Sequence, residues 1–189
     1  MMRIITGSAR NVKLLTLEGD EVTRPTTERV KEALFSMIQF DIEGRRVLDL
    51  FAGSGQLGLE ALSRGAASAV LADVDRNACD IIKKNAQKTK LFSKTRVLNT
   101  DYKAVIRGFQ GREKFDIVFL DPPYAGDMVE DAIARMMRAD ILADYAIVVC
   151  ESNKERPFEA EGFQLKRFAK YSKTYLTILV KDGEDTDGN

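Results

Sequence analysis

The chain contains no histidine in its 189 residues and has only two cysteines, Cys79 and Cys150. Without histidine, every mechanism built on an imidazole base is excluded, and two separated cysteines cannot complete a zinc site, so no metal centre is expected. Both cysteines lie in apolar-leaning segments and are expected as buried free thiols, which suits a reducing cytoplasm. Long hydrophobic runs are also missing. None approaches the ~20 residues that cross a bilayer, and residues 1–10 lack the apolar region of a signal peptide. The expectation is a cytoplasmic protein with no membrane partner. Net charge is absent too, at +0, which as a single number argues against nucleic acid. Its distribution argues the other way. Lys166, Arg167, Lys170, Lys173 and Lys181 follow one another with no intervening acid, whereas Asp182, Glu184, Asp185 and Asp187 crowd the end. A basic face and a frayed acidic tail are expected.

What is present is enough for one globular domain with a real core, at 44% hydrophobic and 31% charged residues. From Val47 onward, apolar runs at 47–51, 69–73, 96–99, 115–120 and 145–150 alternate with helical patterns at 76–88 and 127–138, the signature of βαβ units. Residues 164–169 and 176–180 are separated by too short a link for a crossover helix and should pair as an antiparallel hairpin. A smaller hairpin is expected from 3–6 and 12–15. A helix then follows, with Val30, Ala33, Leu34, Met37 and Ile38 as its apolar stripe and Thr26 or Thr27 as its cap.

After the first parallel strand, Gly53, Gly55 and Gly58 satisfy the GxGxxG pattern, with Asp73 about twenty positions on. A nicotinamide or flavin enzyme and a methyltransferase both fit, since both bring backbone close to a nucleotide cofactor at a strand-to-helix turn. Asp49 separates them. A carboxylate just before the glycines repels an anionic pyrophosphate but can bind the ammonium of S-adenosylmethionine. Asp73 can accept both ribose hydroxyls, and Asp101, with Tyr102 beside it, can accept from the adenine amine. Any one of these acids alone could be a solvated loop residue or a helix cap; three at successive strand ends fit a ligand edge better.

The fourth strand runs into Asp121-Pro122-Pro123-Tyr124. A Pro-Pro pair can simply end a strand, but it also removes two donors and leaves carbonyl oxygens free to accept from an amino group. An exocyclic or amide nitrogen is a poor nucleophile because its lone pair is delocalised. If Asp121 and the Pro122 carbonyl take its two hydrogens, the nitrogen can pyramidalise and present its lone pair to a methyl donor. Tyr124 can stack on a planar substrate taken out of its own stack. No strong base is needed, which agrees with the missing histidine.

The run Asp49-Leu50-Phe51-Ala52-Gly53-Ser54-Gly55 followed by DPPY resembles the amino-methyltransferases of the Rossmann-like class I fold. More narrowly, the chain is similar to the RsmD family, the bacterial 16S rRNA guanine-N2 methyltransferases. The likeness runs through residues 3–7, 13–14, 24–35 and 48–65, and weakens after Tyr124. It implies a mostly parallel seven-stranded sheet with a C-terminal antiparallel hairpin, a methyltransferase domain at 23–181 behind an N-terminal hairpin at 1–22, and a disordered tail at 182–189. It implies S-adenosylmethionine held by Asp49, Phe51, Ala52, Gly53, Ser54, Gly55, Asp73, Val74, Asp101, Tyr102 and Asp121, with Asp121, Pro122 and Tyr124 catalytic. It implies 16S rRNA in the small ribosomal subunit as partner, touched by Arg10, Lys13, Arg24, Thr26, Thr27, Lys170 and Lys173. A monomer is expected. The segment 8–11 is less rich in glycine and arginine than the family pattern, which points to a shaped particle rather than naked RNA. DNA adenine-N6 or cytosine-N4 methyltransferases share the tetrapeptide but usually add a recognition domain for which little chain remains. Protein glutamine methyltransferases typically begin it with asparagine. A noncatalytic RNA-binding module has no need of Asp121 and Tyr124 together with the three cofactor acids.

Overall fold

Near-continuous apolar runs are what a strand needs when helices cover both of its faces, and the chain arranges its runs in that way. The computed structural model describes residues 2–17, 25–123 and 126–183, with backbone only for 25–27. Its elements are α1 (Pro25–Met37), β1 (Arg46–Asp49), α2 (Gln56–Ser63), β2 (Ser68–Asp73), α3 (Arg76–Lys88), β3 (Thr95–Asn99), α4 (Tyr102–Phe109), β4 (Phe115–Leu120), α5 (Met128–Ala139), β5 (Leu142–Ser152), β6 (Phe163–Tyr171) and β7 (Thr174–Lys181). The strands form one seven-stranded sheet in the order β3-β2-β1-β4-β5-β7-β6. The first five are parallel, and β7 runs antiparallel between β5 and β6.

Alternation along the strands divides the core in two. Val47, Ile117, Phe119, Ile147 and Val149 face α1, α2 and α3, with the Phe35 and Phe119 rings 5.8 Å apart. Leu48, Val118, Leu120, Val148 and Cys150 face α4 and α5. Both cysteines are buried free thiols. At β1 the strand order turns back, with β2 on one side and β4 on the other. A crevice outside the carboxyl ends of β1 and β4 is where such sheets bind ligands.

Among the described residues the N-terminal hairpin is closed by one bridge, Arg3 to Lys13. Its ladder is short because its donors are taken elsewhere: the Ile5 and Thr6 amides both donate to the carboxylate of Glu60 on α2, at 2.8 and 3.0 Å. Gly7 lies so close to Ser63 that a Cβ there would sit 1.8 Å from the Ser63 carbonyl oxygen. Ile4, Ala9 and Leu14 join the same core as α1 and α2. Helix α1 starts at Pro25, whose fixed φ suits a first helical position. Thr26 and Thr27 therefore fall inside the first turn rather than capping it. Asp182, expected in a frayed tail, is tied down: its amide donates to the Gly162 carbonyl at 2.8 Å and its carboxylate accepts from Gln164. Residues 184–189 lie outside the described part.

Candidate active site

Each acid singled out in the sequence stands where a parallel strand ends, and the backbone explains why. Between β1 and α2 the chain must cross the sheet edge, and it does so in contact with both neighbours: the Leu50 amide reaches the Phe119 carbonyl at 3.4 Å and the Ala52 amide the Ala72 carbonyl at 2.9 Å. Asp73 then fixes the glycine turn. Its Oδ2 accepts from the Gly53 amide and its Oδ1 from the Asp75 amide, both at 2.9 Å. Gly53 itself has φ 55, a left-handed conformation, and a Cβ there would meet nothing within 4 Å, so the turn presents open backbone. Gly55 opens α2 without any side-chain cap, leaving the helix amides for another acceptor.

Asp49 is only 1% exposed, and its carboxylate accepts a 3.3 Å hydrogen bond from the Phe51 amide. Burial, with Asp121 and Asp73 nearby, pushes its carboxyl up to about 8. Asp121 follows β4 and is partly buried; burial raises it as well. These acids gain from a cation, and the ammonium and sulfonium of S-adenosylmethionine supply one. The donor set therefore fits that cofactor and opposes a pyrophosphate. Val74, 71% exposed beside Asp73, offers an apolar surface to a flat ring.

Some expected roles are divided. Asp101 caps α4, its Oδ1 accepting from the amides of Lys103 and Ala104 at 2.9 and 3.0 Å, so Oδ2 is the oxygen left for a ligand. The Tyr102 hydroxyl is committed to Asp131 at 2.7 Å, while its ring leans on Phe51 at 5.3 Å within the core on the α4 and α5 side. Ser54 is held from two sides: its hydroxyl lies 3.1 Å from the Met2 sulfur and its carbonyl accepts from the buried Asn85 amide at 2.9 Å. Pro122 is buried and Pro123 exposed. Arg24 and Tyr124 lie outside the described residues, as do the side chains of Thr26 and Thr27.

The basic residues are less gathered than their sequence suggests. Lys166 is paired with Asp41 and Lys181 with Asp144, each at 3.0 Å. Lys170 lies over the Tyr175 ring, 5.2 Å from its centroid. Because Tyr175 pairs with Ser152 at the carboxyl end of β5, the β6–β7 turn carrying Lys173 shares the edge of Asp121. Arg10 does not. The turn at 7–10 is bonded to Ser63, the last residue of α2, about 10 Å down the helix from the glycine loop. Lys13 is exposed along the returning limb.

Three polar residues carry weight that sequence reasoning missed. Glu60 is fully buried and bonded to Lys31, Arg64 and the Ile5 and Thr6 amides. Asn85, also fully buried, joins Leu15 to Ser54. Glu151 lies one residue beyond the paired Leu120 and Cys150, hence beside Asp121 on the same face of the sheet. Only Glu151 had a legible signal, an acid directly after the apolar run 145–150.

Among the described residues no group of three or more acids and cysteines is arranged to hold a metal ion, and no helix is long and apolar enough to cross a membrane. Residues 2–180 match the family model described as conserved hypothetical protein 95. The Ribosomal RNA small subunit methyltransferase D of Haemophilus influenzae is 38% identical over 157 residues, covering 82% of this chain and 81% of that protein. Its Escherichia coli namesake is 39% identical over 154 residues, covering 82% and 76%. A solved Escherichia coli structure, described as the methyltransferase yhhF, superposes with a TM-score of 0.85 at 34% identity, over 97% of this chain and 99% of that one. The loop that Asp73 shapes, the cation-seeking acids beside it and this match over nearly the whole chain agree, and the chain belongs to the RsmD family of S-adenosylmethionine-dependent methyltransferases.

Proposed function

We propose that the chain methylates the exocyclic N2 amine of a guanine in small-subunit ribosomal RNA, acting in the cytoplasm as a monomer on the assembled particle. The relatives named for that subunit support the class of RNA. The observation that carries the chemistry is Asp121: a partly buried carboxylate with no hydrogen-bond or ion-pair partner among the described residues, followed by two prolines that donate nothing.

S-adenosylmethionine supplies an electrophilic methyl group on a sulfonium. The chain's own residues make the amine fit to receive it. Asp121 accepts one N–H and the Pro122 carbonyl the other, which holds the nitrogen in place and frees its lone pair from the ring. As the N–C bond forms and the S–C bond breaks, the nitrogen becomes acidic. Its proton passes to Asp121, whose raised affinity for protons makes it a better acceptor than an ordinary carboxylate, or to water. Asp49 would hold the cofactor's ammonium, Asp73 its ribose hydroxyls and Asp101 Oδ2 its adenine amine. Tyr124 stacks on the extruded base, and Lys170 and Lys173 meet RNA phosphates.

The test is incubation with labelled S-adenosylmethionine and small subunits lacking the modification, with naked rRNA and DNA alongside, followed by nucleoside analysis. Label in N2-methylguanosine from the particle is expected. Label in an adenine or cytosine derivative, or in the DNA alone, overturns the proposal.

A further inference from the structure

Parallel pairing sets Leu120 against Cys150, so the next residues, Asp121 and Glu151, leave neighbouring strands side by side. Two steps back along each strand, Phe119 and Val149 belong to one core cluster, which fixes the common face toward which both acids point. Neither acid has a hydrogen-bond or ion-pair partner among the described residues, and they interact with each other. Glu151 has no part in the chemistry described above. Two unpartnered carboxylates about 4.8 Å apart, strand to strand, form a row of acceptors that suits a base edge with two adjacent donors.

Resting on the guanine reading above, we propose that Glu151 determines base specificity: its carboxylate accepts the N1–H of guanine while Asp121 accepts the neighbouring N2–H. Guanine is the RNA base whose amino nitrogen lies beside a ring N–H. In adenine the amine is flanked by the N1 and N7 acceptors, and in cytosine by the N3 acceptor. Set against an acceptor, the ionised Glu151 carboxylate repels it and stays partly buried without a partner, while its protonated form could donate there; the penalty on those bases is therefore full above the pH of about 8 at which the carboxyl ionises. Burial and the charge of Asp121 raise the Glu151 carboxyl, so the two-donor edge is also what stabilises its ionised form.

The experiment compares small subunits reconstituted with guanine or with 2-aminopurine at the methylated position. The analogue keeps the N2 amine but has a bare N1. Assayed above about pH 8, where Glu151 is ionised, wild-type protein is expected to methylate guanine about 100-fold faster, a loss of the size produced by a partly buried charged acceptor without its donor. Glu151→Gln can turn either its oxygen or its amide to N1, so the ratio should fall toward 1, with S-adenosylmethionine affinity by calorimetry unchanged. Equal wild-type rates on the two substrates overturn the proposal without any variant having to fold. A variant that keeps the full preference overturns it as well, and one that chiefly loses cofactor affinity assigns Glu151 to the cofactor instead. If wild-type protein methylates neither, it is the guanine reading that has failed.

Discussion

Two groups of acids sit on the same side of the sheet and meet opposite fates. Toward the amino edge, Glu60 is fully buried yet saturated: Lys31 at 3.4 Å, Arg64 at 2.8 Å and two backbone amides from the N-terminal turn surround it. At the carboxyl edge, Asp49, Asp121 and Glu151 stand near the ends of neighbouring strands with no side-chain cation bonded to them among the described residues, and burial raises all three above the ordinary carboxylate range. A buried charge left unpaired costs free energy. The first group uses its charges to fasten the N-terminal segment to the fold; the second keeps its carboxyls without partners, ready to ionise against a cationic cofactor and a donor-bearing base.

The contrast is open to mutation, and its largest expected consequence lies in the saturated group. Glu60→Ala leaves Lys31, 3% exposed, without its counter-ion and frees two amides. It should cost about 4 kcal/mol, lowering the melting temperature by roughly 10 °C in a thermal scan. Asp121→Ala should lower the methylation rate about 10²- to 10³-fold while leaving the melting temperature equal or higher. A destabilised Asp121→Ala protein would break the comparison, because it would make that acid structural too. Asp49→Asn should stabilise the ligand-free protein by about 1 kcal/mol at pH 8 and weaken S-adenosylmethionine binding.

The pH dependence has a defined sign. With Asp49 held near 8 in the folded chain against an ordinary 3.8, the unfolded state releases its proton first. This group's stabilisation of the ligand-free fold is therefore greatest below about 4 and is lost as pH rises toward 8. Asp49→Asn should flatten that decline in denaturant titrations at several pH values. Cofactor affinity should rise over the same interval, since the ammonium needs the ionised acid. The smallest effect is expected outside both groups: reversing charge at Lys170 and Lys173 should raise the RNA KM a few-fold and flatten its salt dependence, with cofactor affinity preserved. An unchanged salt slope moves the RNA face elsewhere.

Much of the carboxyl edge could be read from local sequence because strand, glycine turn and acid follow one another within a few residues, as at 47–58 and 115–123. The reading failed where a residue's partner is remote. Asp101 looks like a pure ligand acid until its own helix takes one oxygen. The threonines at 26 and 27 look like caps until Pro25 begins the helix before them. Glu60 and Asn85 look like ordinary helix-surface residues, yet their partners lie 54, 55 and 70 positions away.

The sequence by itself determined the alternation of strands and helices, the family and the type of reaction, because periodicity and motifs are written in neighbouring residues. Only the tertiary structure decided which acids are satisfied and which are not. That depends on strand order, which sets β5 against β4 and Glu151 against Asp121, and on the packing of the N-terminal turn over α2, which supplies Glu60 with its donors.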